Sequence, residues 1–138
     1  MTVLDTSAVV DYLLGVGVAK QVETLMTSAG ELAAPDLLVF EVLAVLRRAT
    51  LRGEVAEGRA IGAVEDLGDL PIELFPCLPL RRRAWSLRGN LTAADALFVA
   101  LAEQLEEPLA TKDRGLGAEA AKHATLEVLH LDDPTRQE

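Results

Sequence analysis

The feature that most limits what this chain can become is an alternation. Five short apolar runs, residues 2–5, 31–34, 72–75, 108–111 and 126–131, are each bounded by Pro, Gly or charged residues and read as strands. Between them lie longer stretches with helical spacing of the apolar positions: 7–14, 19–28, 36–51, 55–67, 80–88, 92–105 and 116–122. Pro35 and Asp36 mark the start of the third helix, and Gly53 marks its stop. Such alternation predicts right-handed crossovers and an α/β fold, a mostly parallel five-stranded sheet with helices on both faces. In open sheets of this kind, sites form outside the carboxyl ends of the strands.

Length and charge narrow the function. At 138 residues the chain is expected to be one domain, 1–138, large enough to bury a sizeable core. Half of it is hydrophobic and only 4% aromatic, so that core must be Ala, Val, Leu and Ile, and a disordered chain is excluded. The apolar runs are far shorter than the ~20 residues of a membrane span, and the N-terminus lacks a basic signal segment; the expectation is a cytoplasmic protein with no membrane association. The single Cys77 forms no internal disulfide, has no Cys or His neighbour at zinc-site spacing, and reads as packing. The formal net charge of −9 opposes broad attraction to nucleic acid. A nucleic-acid role would need bound cations or the one basic cluster, Arg81, Arg82, Arg83 and Arg88 around Trp85. That cluster reads equally well as a solvated helix face.

Four carboxylates stand out against this background. Asp5 ends the first strand and Asp113 follows the fourth, in "PLATKDRGL", so both emerge at the same edge of the sheet. Each is either the N-cap of the next helix, a role that stabilises it by about 1 kcal/mol, or part of a site. Glu41 interrupts "LLVFEVLAVL", a run whose helix would be apolar all round and therefore buried. Positions 44 and 45 hold Ala and Val, so no cation is supplied one turn on, and a bound cation accounts for Glu41 better than an exposed helix edge. Asp95, in "LTAADALFVALAE", has capping-box spacing from Thr92, yet it joins the other three in an arrangement one α/β fold could bring together. At about 5 Å and an effective dielectric of about 20, each like-charged pair repels by roughly 3 kcal/mol. Hard divalent cations relieve that repulsion, which points to Mg²⁺ or Mn²⁺ and to phosphoryl chemistry. Zinc is disfavoured, since His123 and His130 lie away from these acids in the sequence.

Taken together, "VLDTSAVVDYL", "PDLLVFEVLAVLRR", "LTAADALFVALAE" and "LATKDRGL" resemble the PIN-domain ribonucleases, in particular the VapC-type toxins of bacterial toxin–antitoxin systems, over nearly the whole chain. The resemblance implies a compact PIN-like fold. It also implies that Asp5, Glu41, Asp95 and Asp113 form the acidic quartet that holds Mg²⁺ or Mn²⁺ and activates water. Thr6, Ser7 and Thr111 fall in the matching motifs, either orienting a carboxylate or metal-bound water or making local turn and cap hydrogen bonds. Arg88 is a candidate substrate contact. Asp11 also falls in the first block and reads as a solvated side chain. The implied reaction is hydrolysis of a phosphodiester in single-stranded or looped RNA to a 5′-phosphate and a 3′-hydroxyl, with a cognate VapB-type antitoxin and a homodimer as expected partners. The helices 19–28 and 36–51 are the candidate surfaces for those contacts.

Other readings fit less of the chain. A haloacid-dehalogenase-like phosphatase would place a second acid two residues after Asp5, where Ser7 stands. A receiver-type signalling domain needs an acceptor aspartate after the third strand and a lysine after the fifth, where "ELFPC" and "VLHLDD" occur. A PIN domain serving RNA processing, or binding RNA or protein without catalysis, is the remaining alternative.

Overall fold

The computed structural model describes residues 1–28 and 30–132; residues 29 and 133–138 of the expected domain lie outside them. Five strands are present, β1 (Thr2–Leu4), β2 (Leu32–Pro35), β3 (Ile72–Phe75), β4 (Leu109–Thr111) and β5 (Val128–His130). They form one sheet in the order β3-β2-β1-β4-β5, and all four pairings are parallel. Successive residues of a strand face opposite sides of a sheet. Every residue of β1, β2 and β4 is nevertheless buried, so the central sheet is covered on both faces.

Among the described residues there are seven α-helices: α1 (Thr6–Leu14), α2 (Ala19–Ser28), α3 (Leu38–Leu51), α4 (Glu57–Leu67), α5 (Arg81–Ser86), α6 (Ala93–Leu105) and α7 (Arg114–His123). Helix α1 packs against α2, α3 and α4, whereas α6 packs against β1, β2, β4 and α5. The middle of helix α6 is buried: Ala96, Ala100 and Ala102 let it lie close to the sheet while Phe98, Val99 and Leu101 fill the space around it. Phe98 is the largest fully buried side chain; each such residue contributes roughly 1.5–3 kcal/mol through removal from water.

Three local departures from the sequence reading have physical causes. Helix α3 begins at Leu38 rather than Asp36, because Pro35 still belongs to β2 and the Asp36 N–H is bonded to the Phe75 carbonyl at 2.8 Å. The Asp36 carboxylate accepts from Cys77 Sγ at 3.1 Å instead of capping the helix. The stretch 80–88 divides into a 3₁₀ turn at Leu78–Leu80 and the short α5. Helix α3 is also not buried all round: Leu38, Val42 and Leu46 face the core, while Val39, Phe40, Leu43 and Leu51 are exposed.

Asp11 is a correction as well, being buried rather than solvated. Its Oδ2 accepts from the Val18 N–H at 3.1 Å and from Lys112 Nζ at 2.8 Å, tying the α1–α2 connection to the chain beyond β4. Gly17 makes room for it. At φ +54°, a Cβ on Gly17 would stand 2.0 Å from Asp11 Oδ2, so a side chain there collides with the carboxylate as well as straining the backbone.

Candidate active site

The chain runs outward from β1 through β2 to β3, then returns to place β4 on the other side of β1. The reversal makes the β1/β4 boundary the topological switch point of the sheet, where open α/β sheets form their crevices. Asp5 follows β1 directly, and Asp113 follows β4 after one residue.

Both are helix caps, as one reading of the sequence held. Asp5 Oδ1 accepts the Ala8 N–H at 3.1 Å and the Ser7 hydroxyl at 3.3 Å, and Asp113 Oδ1 accepts the Leu116 N–H at 3.0 Å. Capping uses one oxygen of each. The second oxygen of Asp5 accepts a short hydrogen bond from the hydroxyl of fully buried Thr111, whose own oxygen accepts the Asp113 N–H at 2.9 Å. Thr111 thereby links the two strand ends through side chains.

Glu41 and Asp95 reach the same place from helices. Glu41, half-buried on the first turn of α3, accepts from the Thr6 hydroxyl at 2.5 Å. Asp95 lies in the first turn of α6, where Thr92 is the N-cap and accepts the Asp95 N–H at 3.2 Å. Asp5, Glu41, Asp95 and Asp113 all line one cavity of about 500 Å³, with Thr6 and Ser7 in its wall.

The electrostatics show these acids sensing one another. Burial pushes the Asp5 carboxyl above its ordinary value, hydrogen bonds from Thr111, Ala8 and Ser7 oppose the rise, and the charge of Asp113 adds to it. Asp95 is raised too, first by burial and then by the same Asp113 charge, against a lowering hydrogen bond from Thr92. Asp113 is thus the common neighbour of two carboxylates that both hold their protons more tightly than exposed acids.

The cavity has basic members that the sequence reading did not single out. Arg48, at the last turn of α3, and Lys112, between Thr111 and Asp113, both line it. Arg48 is seven residues after Glu41, two helical turns on along the same face and beyond the one-turn positions Ala44 and Val45. Arg88 does not line the cavity. Its guanidinium lies over the Trp85 ring, 4.8 Å from the centroid, and donates to the Trp85 carbonyl at 3.1 Å. Arg83 makes a bidentate pair with Glu103 at 2.7 and 3.0 Å, which lowers the Glu103 pKa, so much of the Arg81–Arg88 cluster secures α5.

A sheet with an acid at each strand end of its switch point, and two more delivered by the helices, matches a known pattern. The PIN-domain family model covers residues 2–132. The chain is a PIN domain. Among curated proteins it is similar to ribonuclease VapC1 of Mycobacterium tuberculosis, 42% identical over 84% of this chain and 88% of that protein. It is also similar to ribonuclease VapC12 of the same species, 34% identical over 94% and 99%, and it belongs with these VapC-type PIN domains. Among solved structures, PAE2754 from Pyrobaculum aerophilum aligns with a TM-score of 0.63 at 25% identity, over 90% of this chain and 87% of that one. FitAcB from Neisseria gonorrhoeae shares the fold with a TM-score of 0.64 at 18% identity, over 94% and 97%.

This PIN domain offers a hard divalent cation a suitable donor set, since the acids lining the cavity are all carboxylates. Among the described residues no three acidic, His or Cys side chains are gathered tightly enough to enclose an ion as placed. The carboxylates converge on a shared cavity, and Thr6 and Thr111 occupy an oxygen of Glu41 and of Asp5.

Proposed function

We propose that this PIN domain is a divalent-cation-dependent ribonuclease that hydrolyses RNA phosphodiesters and acts as the toxin of a toxin–antitoxin pair in the cytoplasm. The observation that carries the reading is the meeting of Asp5, Glu41, Asp95 and Asp113 in one cavity at the switch point, in a chain 42% identical to a ribonuclease VapC. Asp5 and Asp95 are the principal ligands for Mg²⁺ or Mn²⁺, with Asp113 and Glu41 completing the set. Bound there, the cation supplies a nucleophilic water at neutral pH and neutralises charge on the phosphate.

The chain's own residues prepare that chemistry. Thr111, Ser7 and the Ala8 N–H fix the Asp5 carboxylate in one orientation, and Thr6 does the same for Glu41. Asp113, exposed and charged, raises the cost of leaving the cavity without a cation. No protein nucleophile is required, and the products are a 5′-phosphate and a 3′-hydroxyl. A VapB-type antitoxin and a second copy of the chain are the proposed protein partners.

The test is cleavage of structured and unstructured RNA by the purified protein with Mg²⁺ or Mn²⁺, with and without EDTA, beside Asp95→Asn and Asp113→Asn. Cleavage is expected only from the wild type and only with the cation. Equal cleavage by all three proteins, or cleavage that survives EDTA, overturns the assignment.

A further inference from the structure

Phe40 is the most exposed aromatic residue of the described chain, with 71% of its surface accessible. It stands immediately before Glu41 at the lip of the acidic cavity. Val39 and Leu43 are exposed beside it on the same helix, and a contiguous apolar patch, unlike a lone exposed side chain, marks an interaction site.

The residues around Phe40 indicate what that occupant is. Phe40, Ala44 and Arg48 follow one another at i, i+4 and i+8 on α3, so they share one stripe of the helix. The same three line both the acidic cavity and a second hollow of about 470 Å³, completed by Leu43 and Arg47. The two hollows therefore form one trough that crosses α3, with small Ala44 as its floor between an aromatic ring and an arginine. Among the described residues neither Arg47 nor Arg48 takes part in an ion pair, although the chain carries a net charge of −9.

From this we infer that the trough holds the single-stranded part of the substrate beside the scissile bond. Phe40 stacks on one unpaired base, while Arg48 and Arg47 bind the phosphates next to it. The inference deepens the ribonuclease reading and rests on it. An aromatic platform beside cations that track a phosphate backbone is how sequence-tolerant single-strand binding is built. Charge complementarity favours a nucleic-acid strand over a peptide. Arg47 and Arg48 have no acidic partner among the described residues, and a polyanion supplies one while meeting the carboxylates through the divalent cation. A wholly apolar partner segment would find a better fit in the groove between α3 and α4, lined by Leu46, Leu51, Ala60, Ile61 and Val64.

The test compares the wild type with Phe40→Ala, Phe40→Trp and Arg48→Gln in steady-state cleavage of a single-stranded RNA oligonucleotide with Mg²⁺. Phe40→Ala is expected to raise KM about tenfold with kcat nearly unchanged, and Phe40→Trp to restore the wild-type KM. Arg48→Gln is expected to raise KM and to flatten the salt dependence of log kcat/KM by about one unit of slope. Because Phe40 is exposed, its replacement leaves the melting temperature unchanged, and equal melting curves establish that the variants are folded. Unaltered KM and salt slope in folded Phe40→Ala and Arg48→Gln overturn the inference. The same result with weakened binding of an antitoxin peptide assigns the trough to a protein partner instead. If the wild type binds the oligonucleotide with Mg²⁺ but does not cut it, the cleavage reading fails while the trough is judged by whether Phe40→Ala loses that binding. A wild type that neither cuts nor binds removes both.

Discussion

Asp5 and Asp11 flank the same helix, are similarly buried at 6% and 8% exposure, and are held in opposite ways. Asp11 has a cation: Lys112 Nζ stands 2.8 Å away, and the Val18 N–H fills out the same oxygen. Asp5 has only neutral donors, two hydroxyls and an amide, and a carboxylate neighbour that pushes its pKa further up. A buried charge must be compensated. The fold therefore compensates the charge of Asp11 with a cation and supplies Asp5 with neutral donors alone. That contrast marks Asp11 as a structural aspartate and Asp5 as the candidate for a functional one.

The sharpest way to break the contrast is to remove the charge of Asp5. Asp5→Asn keeps a side-chain oxygen for the Ala8 N–H. It is expected to lower RNA cleavage about a thousandfold or more, while the cation-free protein melts at a higher temperature than the wild type. A cation-free variant that melts lower would show that Asp5 is already satisfied within the fold. Asp11→Ala is predicted to do the reverse. It strands the Val18 N–H and Lys112, costs about 2–3 kcal/mol of stability in denaturant unfolding, and leaves the folded fraction active. Gly17→Ala should mimic it, because its Cβ displaces the Asp11 carboxylate.

Acid-dependent unfolding sharpens the same comparison. Because burial raises the pKa of Asp5 in the folded protein, its contribution to stability is fully present below about pH 4. That contribution is lost as the pH climbs through the raised value. The melting-temperature difference between Asp5→Asn and the wild type should widen over that climb in EDTA and close when Mg²⁺ or Mn²⁺ is added. A difference that does not vary with pH would contradict the burial argument. The smallest expected effect is that of Thr111→Val, which deletes the buried hydroxyl bonded to Asp5 and costs about 1 kcal/mol. Because it removes a group that lowers the Asp5 pKa, the cost should grow with pH in the cation-free protein, as followed by thermal melts at pH 5 and pH 7.

Much of the fold was readable because period and punctuation are local. Short apolar runs edged by Pro, Gly and charge gave all five strands to within about two residues, and the αL turns at Gly15 and Gly53 close α1 and follow α3. Glu41 and Asp95 were readable as charges within apolar runs, and Asp5 and Asp113 as acids at the ends of expected strands. Asp11 was misread for the complementary reason. On a helix whose neighbours are apolar, a carboxylate that faces solvent and one that meets a lysine 101 residues away look the same in one dimension. Glu41 was noticed through a false premise, a helix expected to be buried all round; α3 in fact exposes Val39, Phe40 and Leu43.

By itself the sequence determined the alternation of elements, the parallel α/β class and the four carboxylates worth comparing. Those follow from side-chain periodicity and from the cost of burying charge, which neighbouring residues already reveal. The tertiary structure alone decided that Thr111 bridges Asp5 to the chain beyond β4, that Lys112 belongs to Asp11, that the cavity's cations are Arg48 and Lys112 rather than Arg88, and that Phe40 stands uncovered at its lip. Each of these depends on which strands become neighbours at the switch point, a long-range choice made by the packing of the whole core.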